Sequence, residues 1–328
     1  MRKLTKVLLT GICCAAVLSG CGGKKEEPSA APETSAETTA ETTAETEETT
    51  KEEETMADNA KGDVNKKAIL VVSFGTSYNE TRAKTIDAIE EKIAAAYPDF
   101  EVRRAYTSQM IIDKLKSRDG LEIDNVEQAL QRLVDEGFGT VVVQPTHVMA
   151  GIEFEEMLEQ FEPFSDSFVL SITGEPLLTY GEDYDAVVKV LAEETASYNQ
   201  EGTSIVFMGH GTEHDANAVY TTLEAAFAEE GFDNYFVGTV EAEPTLEDVM
   251  KKVEAAGSKR VVLIPLMIVA GDHATNDMAG DEEDSWKTQF KAAGYEVECV
   301  LKGLGEYPGI QDLMVVHVQD SLSFLPKN

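Results

Sequence analysis

The sequence contains few cysteines, few tryptophans and few basic residues for its length. Its 328 residues include four cysteines and one tryptophan, and 27 basic residues stand against 61 acidic ones. Cys13, Cys14 and Cys21 lie near the N-terminus, so Cys299 is alone in the remaining chain and no disulfide framework can form there. The acidic excess argues against a nucleic-acid partner, which favours a basic surface. The globular part must therefore be stabilised by a hydrophobic core.

Long hydrophobic runs are also scarce, and the one at the N-terminus is short. Three basic residues among the first six precede an apolar run over 7–18, and Leu18-Ser19-Gly20-Cys21 follows. This order is typical of a bacterial lipoprotein signal peptide. We interpret residues 1–20 as that signal peptide and expect Cys21 to be the lipidation site. The protein would then be exported and lipid-anchored to the outer face of the cytoplasmic membrane, or be periplasmic. The alternative is an ordinary signal peptide with an incidental cysteine.

Residues 21–65 lack aromatic side chains and have almost no large aliphatic ones. Glu, Thr, Ala and Lys dominate this segment, with a loose Ala-Glu-Thr-Thr repeat. Such a composition buries too little apolar surface to offset the entropy lost on ordering. We therefore interpret residues 21–65 as a disordered Glu/Thr-rich linker between the lipid-anchored Cys21 and the globular body. A binding tail is the alternative.

From residue 66 onward, short apolar runs alternate with amphipathic segments. Strands are predicted at Ala68–Ser73, Glu101–Tyr106 and Thr140–Gln144, and helices at Glu80–Tyr97 and Val126–Glu136. Buried runs separated by helices are typical of parallel βαβ units. The sequence thus predicts an α/β fold with small parallel sheets flanked by helices.

Two strand–turn junctions recur in the second half of the body. Residues 68–76 are similar to 203–212, and residues 139–151 are similar to 259–271, where both copies end in Pro-x-x-x-x-Ala-Gly. We therefore predict two similar lobes, residues 66–180 and 181–328, with a cleft between them. Ligands of open α/β sheets bind beyond the carboxyl ends of the strands, so both lobes are expected to offer those ends to the cleft.

Histidines are few, and most of them follow predicted strands. The chain has five, namely His147, His210, His214, His273 and His317. His147 and His210 follow strands of different lobes at positions that are not equivalent in the repeat, and Glu175 follows a predicted strand at Phe168–Ile172. Neutral imidazoles bind Co, Fe, Ni or Zn, and a carboxylate often completes the set. We predict His147, Glu175 and His210 as metal ligands; structural histidines at strand ends are the alternative.

Other chemistry is not indicated by the motifs. No Gly-x-Gly-x-x-Gly occurs, and Gly75-Thr76-Ser77 lacks the spacing of a phosphate loop, so neither an ATP site nor an organic cofactor is expected. His210-x-x-x-His214 lacks the glutamate that follows the first histidine in helical zinc proteases. His317 lies in the last predicted helix and is expected to be a surface or packing residue.

Several longer segments carry a family resemblance. They are Val71–Ser77, Thr107–Ile112, Gln144–His147, Gly209–His214, Val269–Ala274, Asn276–Asp281 and Asp284–Trp286. The body resembles the anaerobic sirohydrochlorin cobaltochelatases of the CbiK type, which are relatives of ferrochelatase, over nearly all of residues 66–328. The resemblance implies a two-lobed chelatase fold. It also implies metal ligation by two histidines and a glutamate, at His147, His210 and Glu175.

Metal insertion into a tetrapyrrole requires the loss of two pyrrole N–H protons. Histidine can bind a metal and accept a proton near neutral pH, so His147, His210 and His273 are predicted to be catalytic. Co²⁺ is the expected substrate metal, with Fe²⁺ or Ni²⁺ as alternatives. Hydrogen-bonding groups near strand ends are predicted to bind the carboxylates of the tetrapyrrole, and they are Ser73, Ser77, Arg104, Thr107, Ser108 and His214. For Arg104, a solvated surface role is the alternative.

The predicted anchor at Cys21 leaves two main functions open. The first is a chelatase that inserts a divalent metal into a tetrapyrrole without ATP, outside the cytoplasm. The second is a non-enzymatic lipoprotein that captures metal or a haem-like tetrapyrrole and passes it to a transporter. A surface protein that merely kept the fold is a third, which an intact set of metal ligands disfavours.

Overall fold

The computed structural model describes residues 61–326, which form two four-stranded parallel sheets. The first sheet has the strand order β2-β1-β3-β4, with β1 at Asp63–Ser73, β2 at Glu101–Tyr106, β3 at Phe138–Pro145 and β4 at Leu170–Thr173. The second has the order β6-β5-β7-β8, with β5 at Thr203–Gly209, β6 at Tyr235–Thr239, β7 at Arg260–Pro265 and β8 at Glu296–Cys299. The two orders are the same pattern repeated. The predicted α/β class with two similar lobes is confirmed.

Helices flank both sheets. Those that follow strands of the first sheet are α1 at Asn79–Lys84, α2 at Ile86–Ala96, α3 at Gln109–Asp119, α4 at Val126–Asp135, α5 at Ile152–Ser165 and α6 at Gly181–Thr195. Those of the second half are α7 at Ala218–Glu229, α8 at Leu246–Ala255, α9 at Trp286–Ala292 and α10 at Pro308–Phe324. Within residues 61–326, every helix is too short or too polar to cross a membrane.

Local sequence explains where these helices begin and break. Asn125 accepts from the backbone N–H of Gln128 while the Gln128 side chain bonds back to it, a capping box that starts α4. The single helix predicted at Glu80–Tyr97 is wrong, because the chain breaks into α1 and α2 at Thr85. The Thr85 hydroxyl donates to the carbonyl of Thr81 at 2.7 Å, and such local bonds compete with regular helix geometry.

One hydrophobic core lies between the two sheets. It joins Ile69 and Val71 of β1 to Ile205 and Phe207 of β5 through α6 and α10. The outer faces of the sheets are covered separately, the first by α4 and α5 and the second by α8 and α9. Because both faces are covered, β3 and β5 are buried along their whole length and read as continuous apolar runs.

The C-terminal helix α10 crosses from the second sheet back to the first. It packs against α2, α6, β3 and β4. All strands of the first sheet precede α6 in the chain, and all strands of the second sheet follow it. The lobe boundary predicted after residue 180 falls at the start of α6, which begins at Gly181. The last helix nevertheless packs with the N-terminal lobe. The predicted signal peptide, the lipidation site Cys21 and most of the linker lie outside the described residues.

Candidate metal centre

Three adjacent strands of the second sheet each lead to a potential metal ligand. His210 directly follows β5, Glu241 lies two residues beyond β6, and His273 lies eight residues beyond β7. Their ligand atoms all lie within 4.8 Å of one another. The rings of His210 and His273 meet edge to face, with centroids 4.8 Å apart, and Nε2 of His210 is 3.9 Å from Oε1 of Glu241. Because β6, β5 and β7 are neighbours, their carboxyl ends bring these distant residues together.

Hydrogen bonds leave Nε2 of both histidines available as a ligand atom. Nδ1 of His210 lies 2.8 Å from the carbonyl oxygen of Gly211, and Nδ1 of His273 lies 2.5 Å from Oδ2 of Asp277. Both partners are acceptors, so Nδ1 carries a proton, and in the neutral ring Nε2 then keeps its lone pair. An acceptor behind a histidine is a common way of orienting a metal-binding imidazole. Asp277 is in position because Ala274–Met278 form a π-helical turn, a feature that often occurs at functional sites.

The backbone ties the His210 turn directly to the Glu241 turn. The N–H of Glu241 donates to the carbonyl of His210 at 2.9 Å. Gly211 has φ +90°, and a Cβ there would lie 2.8 Å from the backbone nitrogen of Ala242 and 2.9 Å from the Thr239 side chain. Only glycine therefore allows the two turns to approach this closely.

Two imidazole nitrogens and one carboxylate form a donor set suited to Co²⁺, Fe²⁺, Ni²⁺ or Zn²⁺. This set contains His210 of the predicted trio, but His147 and Glu175 lie outside it. The structure thus supports Glu241 and His273 as the partners of His210. Ligation by His147 and Glu175 stays a prediction.

His147 follows β3 in the first sheet and has an unusual environment. Both ring nitrogens are buried, and neither has a hydrogen-bond partner among residues 61–326. Burial lowers the pKa of His147 to about 4, against a weaker opposing effect of Glu153. The ring is therefore neutral at ordinary pH, and its unprotonated nitrogen has no hydrogen-bond partner among the described residues.

Glu175 follows β4 and is held mainly through its backbone. Its carbonyl accepts from Nε2 of Gln144 at 3.1 Å and from Nδ1 of His317 at 3.0 Å. Burial raises the pKa of the Glu175 carboxyl, and the nearby His317 partly offsets this effect. His317 itself is 5% exposed and has specific polar partners, which makes it a buried residue and excludes the surface role.

Among the predicted substrate-binding residues, some polar groups already have hydrogen-bond partners and one has none in the described part of the chain. Thr107 offers a buried hydroxyl that no other group within residues 61–326 contacts by a hydrogen bond. The Ser73 hydroxyl accepts from Thr146 at 2.8 Å, and the Ser108 hydroxyl caps α3 by accepting from the N–H of Ile111. Ser77 is buried, and its carbonyl accepts from Arg118. Substrate binding by these residues stays a prediction.

Arg104 is already committed to two carboxylates of α2. Its Nε donates to Oε1 of Glu90 at 2.7 Å, and its terminal nitrogen also pairs with Asp87. Although burial opposes the charge, bonding to Glu90 raises the pKa of Arg104, so the guanidinium stays charged within this network. The guanidinium is thus already paired, and the predicted contact between Arg104 and a substrate carboxylate stays a prediction.

The carboxyl ends of the two sheets meet at a common junction. Nδ1 of His214 accepts from the backbone of Ala216, so Nε2 carries the proton and faces Oε1 of Glu155 in α5 at 3.3 Å. The Tyr78 hydroxyl, beyond β1, donates to Oδ1 of Asp272 at 3.2 Å. His273 is the next residue after Asp272, so the Tyr78 contact places a first-lobe loop beside the group formed by His210, Glu241 and His273. His214 is therefore engaged in a contact between the lobes.

The sequence analysis did not single out Glu241, and it gave His273 a catalytic role and not a ligand role. The repeat is broken at His147 and His210, which directed attention to residues of different lobes. The signal for the observed set was present, since Glu241 closely follows the apolar strand Tyr235–Thr239. What sequence could not supply was the sheet order, which makes the three strand ends neighbours.

Two parallel α/β lobes that meet beside a His/Glu/His set define a two-lobed metal-binding α/β protein. A family model described as cobalt chelatase (CbiK) matches residues 67–323. The chain belongs to the cobalt chelatase (CbiK) family and is a metal chelatase, as the resemblance implied.

Curated relatives agree with this family. The chain is 42% identical over 258 residues to a sirohydrochlorin cobaltochelatase of Salmonella typhimurium, covering 79% of this chain and 97% of the relative. It is 32% identical over 264 residues to the sirohydrochlorin cobaltochelatase CbiKC of Nitratidesulfovibrio vulgaris, covering 80% and 93%. The solved structure of SirB from Bacillus subtilis with Fe³⁺ has the same fold, with a TM-score of 0.57 at 14% identity, covering 78% of this chain and 95% of SirB.

Proposed function

We propose that this protein inserts Co²⁺ into sirohydrochlorin and that His210, Glu241 and His273 hold the metal for transfer. Membership of the cobalt chelatase family and relatives named for this reaction support the activity. The observation that carries the ligand assignment is the grouping of the three ligand atoms within 4.8 Å, with both Nε2 atoms free. Fe²⁺ and Ni²⁺ remain alternative metals because they favour the same donors.

Insertion exchanges Co²⁺ for two pyrrole protons, so the site must supply proton acceptors as well as ligands. His147 is neutral and has unused ring nitrogens at the carboxyl end of the first sheet. We assign it as one acceptor, and a ligand histidine that releases the metal as the other. This division gives the second lobe the metal and the first lobe the base. No step in it requires ATP.

The ligand assignment is tested with a pair of neighbouring glutamates. Glu241→Gln should weaken Co²⁺ binding by at least about tenfold, because an amide is a poorer ligand than a carboxylate. Glu243→Gln is the matched control, since Glu243 is exposed in the same loop and lies outside the cluster. Isothermal titration of the purified protein with Co²⁺ measures both, and Glu175→Gln tests the ligand predicted from sequence.

The activity is measured by the absorbance change of sirohydrochlorin with Co²⁺. His210→Ala and His273→Ala should lose most of the rate, and Glu243→Gln should keep it. Rates equal to wild type in both histidine variants would sink the proposed site. Tight Co²⁺ binding without turnover in the wild type would instead favour the capture of metal or a tetrapyrrole for a transporter, a function that family membership does not favour.

We also propose that the protein is exported and anchored to the membrane by a lipid on Cys21. The signal-peptide pattern of residues 1–20 and the Glu/Thr-rich composition of residues 21–65 support this proposal. The chelatase would then act outside the cytoplasm.

A further inference from the structure

A buried histidine outside the proposed metal centre, His317, forms a hydrogen-bond network with Glu175 and Asp183 in the first lobe. His317 of α10 is buried, with Nδ1 at 3.0 Å from the carbonyl oxygen of Glu175 and Nε2 at 3.2 Å from Oδ1 of Asp183. A carbonyl and a carboxylate can only accept. Both ring nitrogens of His317 therefore donate, and the ring is a buried imidazolium paired with Asp183.

Asp183 is itself fixed by the start of α6. Its Oδ2 accepts from the backbone N–H groups of Thr179 at 3.0 Å and Tyr180 at 2.6 Å. One carboxylate thus caps the helix with one oxygen and holds His317 with the other. Because the carboxylate cannot turn without losing the cap, the direction of the His317 ring is set as well.

The carbonyl that His317 holds leads to the backbone of His147. Beyond Glu175, the N–H of Leu177 donates to the carbonyl of His147, and the N–H of Leu178 donates to the carbonyl of Val148, both at 2.9 Å. The His147 ring has no polar partner of its own among the described residues. Its position is therefore determined by its backbone and by packing. A shift of the Glu175 segment would be passed to His147 through these two bonds.

Simple packing does not explain a charged pair at this place. Burying an imidazolium and a carboxylate costs solvation free energy that an apolar pair would avoid. Both ring nitrogens of His317 and both carboxylate oxygens of Asp183 have hydrogen-bond partners. The pair is directed at one segment, and Gln144, which is completely buried, donates to the same Glu175 carbonyl. Polar groups that hold a reacting group in place have this arrangement.

We propose that His317, held by Asp183, is a positioning residue that fixes the Glu175–Leu178 segment and through it the imidazole of His147. The inference rests on the proposed function, in which His147 accepts a pyrrole proton. It adds a role for Asp183 in α6 and His317 in α10, which lie outside the group of proposed metal ligands.

Three variants of the purified full-length protein test the kinetic consequence. His317→Gln can satisfy only one of the two acceptors, so kcat should fall by about tenfold, while the affinity for Co²⁺ alone should not change. Asp183→Asn should retain most of kcat, because its amide can donate to Nε2 of a neutral His317 whose Nδ1–H still holds Glu175. Gln319→Ala, exposed on the same helix, is the matched control.

A double variant separates positioning from general damage. If His317 acts through His147, then His317→Gln should lower kcat by less than about twofold once His147→Ala is present, because coupled residues are not additive. A full additional tenfold loss would overturn the proposal. All rates are compared at a temperature where each variant retains the circular dichroism of wild type.

A second readout does not depend on activity. Diethylpyrocarbonate acylates accessible neutral imidazoles, and mass spectrometry gives the rate at His147. This rate should be low in wild type and Gln319→Ala and should rise several-fold in His317→Gln. An acylation rate at His147 that is the same in His317→Gln as in wild type would overturn the positioning role. Absence of Co²⁺ insertion by the wild type would instead overturn the proposed function, and the acylation comparison would still decide the positioning of His147.

Discussion

The imidazoles of His210, His273 and His147 differ in their partners, and this difference separates their chemistry. His210 and His273 each donate through Nδ1 to an acceptor, which leaves Nε2 as the nitrogen available to the proposed metal site. His147 has no partner among the described residues and is desolvated, so it is held in the neutral form. The proposed ligands and the proposed base thus differ in hydrogen bonding and burial, which residue type alone does not reveal.

The desolvation of His147 predicts a pH dependence of stability. Its pKa is about 4 when folded, against an ordinary value of 6.5. Between these values the unfolded chain binds a proton that the folded chain does not, so stability falls as the pH falls. From pH 7 to pH 5, wild type should lose about 2 kcal/mol more stability than His147→Gln. Urea unfolding at both pH values measures this difference, and parallel losses in the two proteins would contradict it.

The elements that carry the proposed metal ligands are the turns after β5, β6 and β7. Two of these turns have a particular backbone feature. The β5 turn uses Gly211 at φ +90°, and the β7 turn ends in the π-helical segment that places Asp277 behind His273. The site is therefore sensitive to backbone changes that leave all three ligands intact.

Gly211→Ala tests this sensitivity against a matched glycine. Gly211 and Gly231 both have positive φ, at +90° and +85°, so alanine is strained at either position. A Cβ at Gly231 meets nothing within 4 Å, whereas one at Gly211 meets Ala242 and Thr239 below 3 Å. Gly231→Ala should cost about 1 kcal/mol and keep the Co²⁺ affinity of wild type. Gly211→Ala should cost more and weaken Co²⁺ binding at least about tenfold; equal affinities by titration calorimetry would refute the role of this turn.

The sequence predicted the strands well because parallel strands buried on both faces are continuous apolar runs. The runs at β3 and β5 are of this kind. The break between α1 and α2 at Thr85 escaped prediction, because it depends on one side-chain bond inside an otherwise helical pattern. Of the three proposed ligands, the sequence analysis gave Glu241 no role and His273 a catalytic one, for another reason. Which strand ends are neighbours is a property of sheet order, and a repeat between lobes does not contain it.

At the scale of the whole molecule, the two lobes share one core and one C-terminal helix. The shared core lies between the sheets, and α10 returns to the first sheet after the second is complete. His317 in that helix contacts the segment that leads to His147. The end of the chain thus contacts the first-lobe segment that is bonded to the backbone of His147, so the lobes are not independent modules. The residue ranges 66–180 and 181–328 separate the two sheets, but the C-terminal helix α10 of the second range packs against the first sheet.

The proposed lipid anchor would act on the whole molecule, and the two cysteines Cys21 and Cys299 allow a matched test of it. Cys21 is the predicted lipidation site, whereas Cys299 lies at the end of β8 and has a pKa raised by burial. In cells fed a labelled fatty acid, wild type and Cys299→Ser should carry the label and sediment with membranes. Cys21→Ser should lose both properties, because its hydroxyl cannot form the thioether of a lipoprotein. A labelled Cys21→Ser protein, or an unlabelled wild type, would contradict the anchor while leaving the chelatase site untouched.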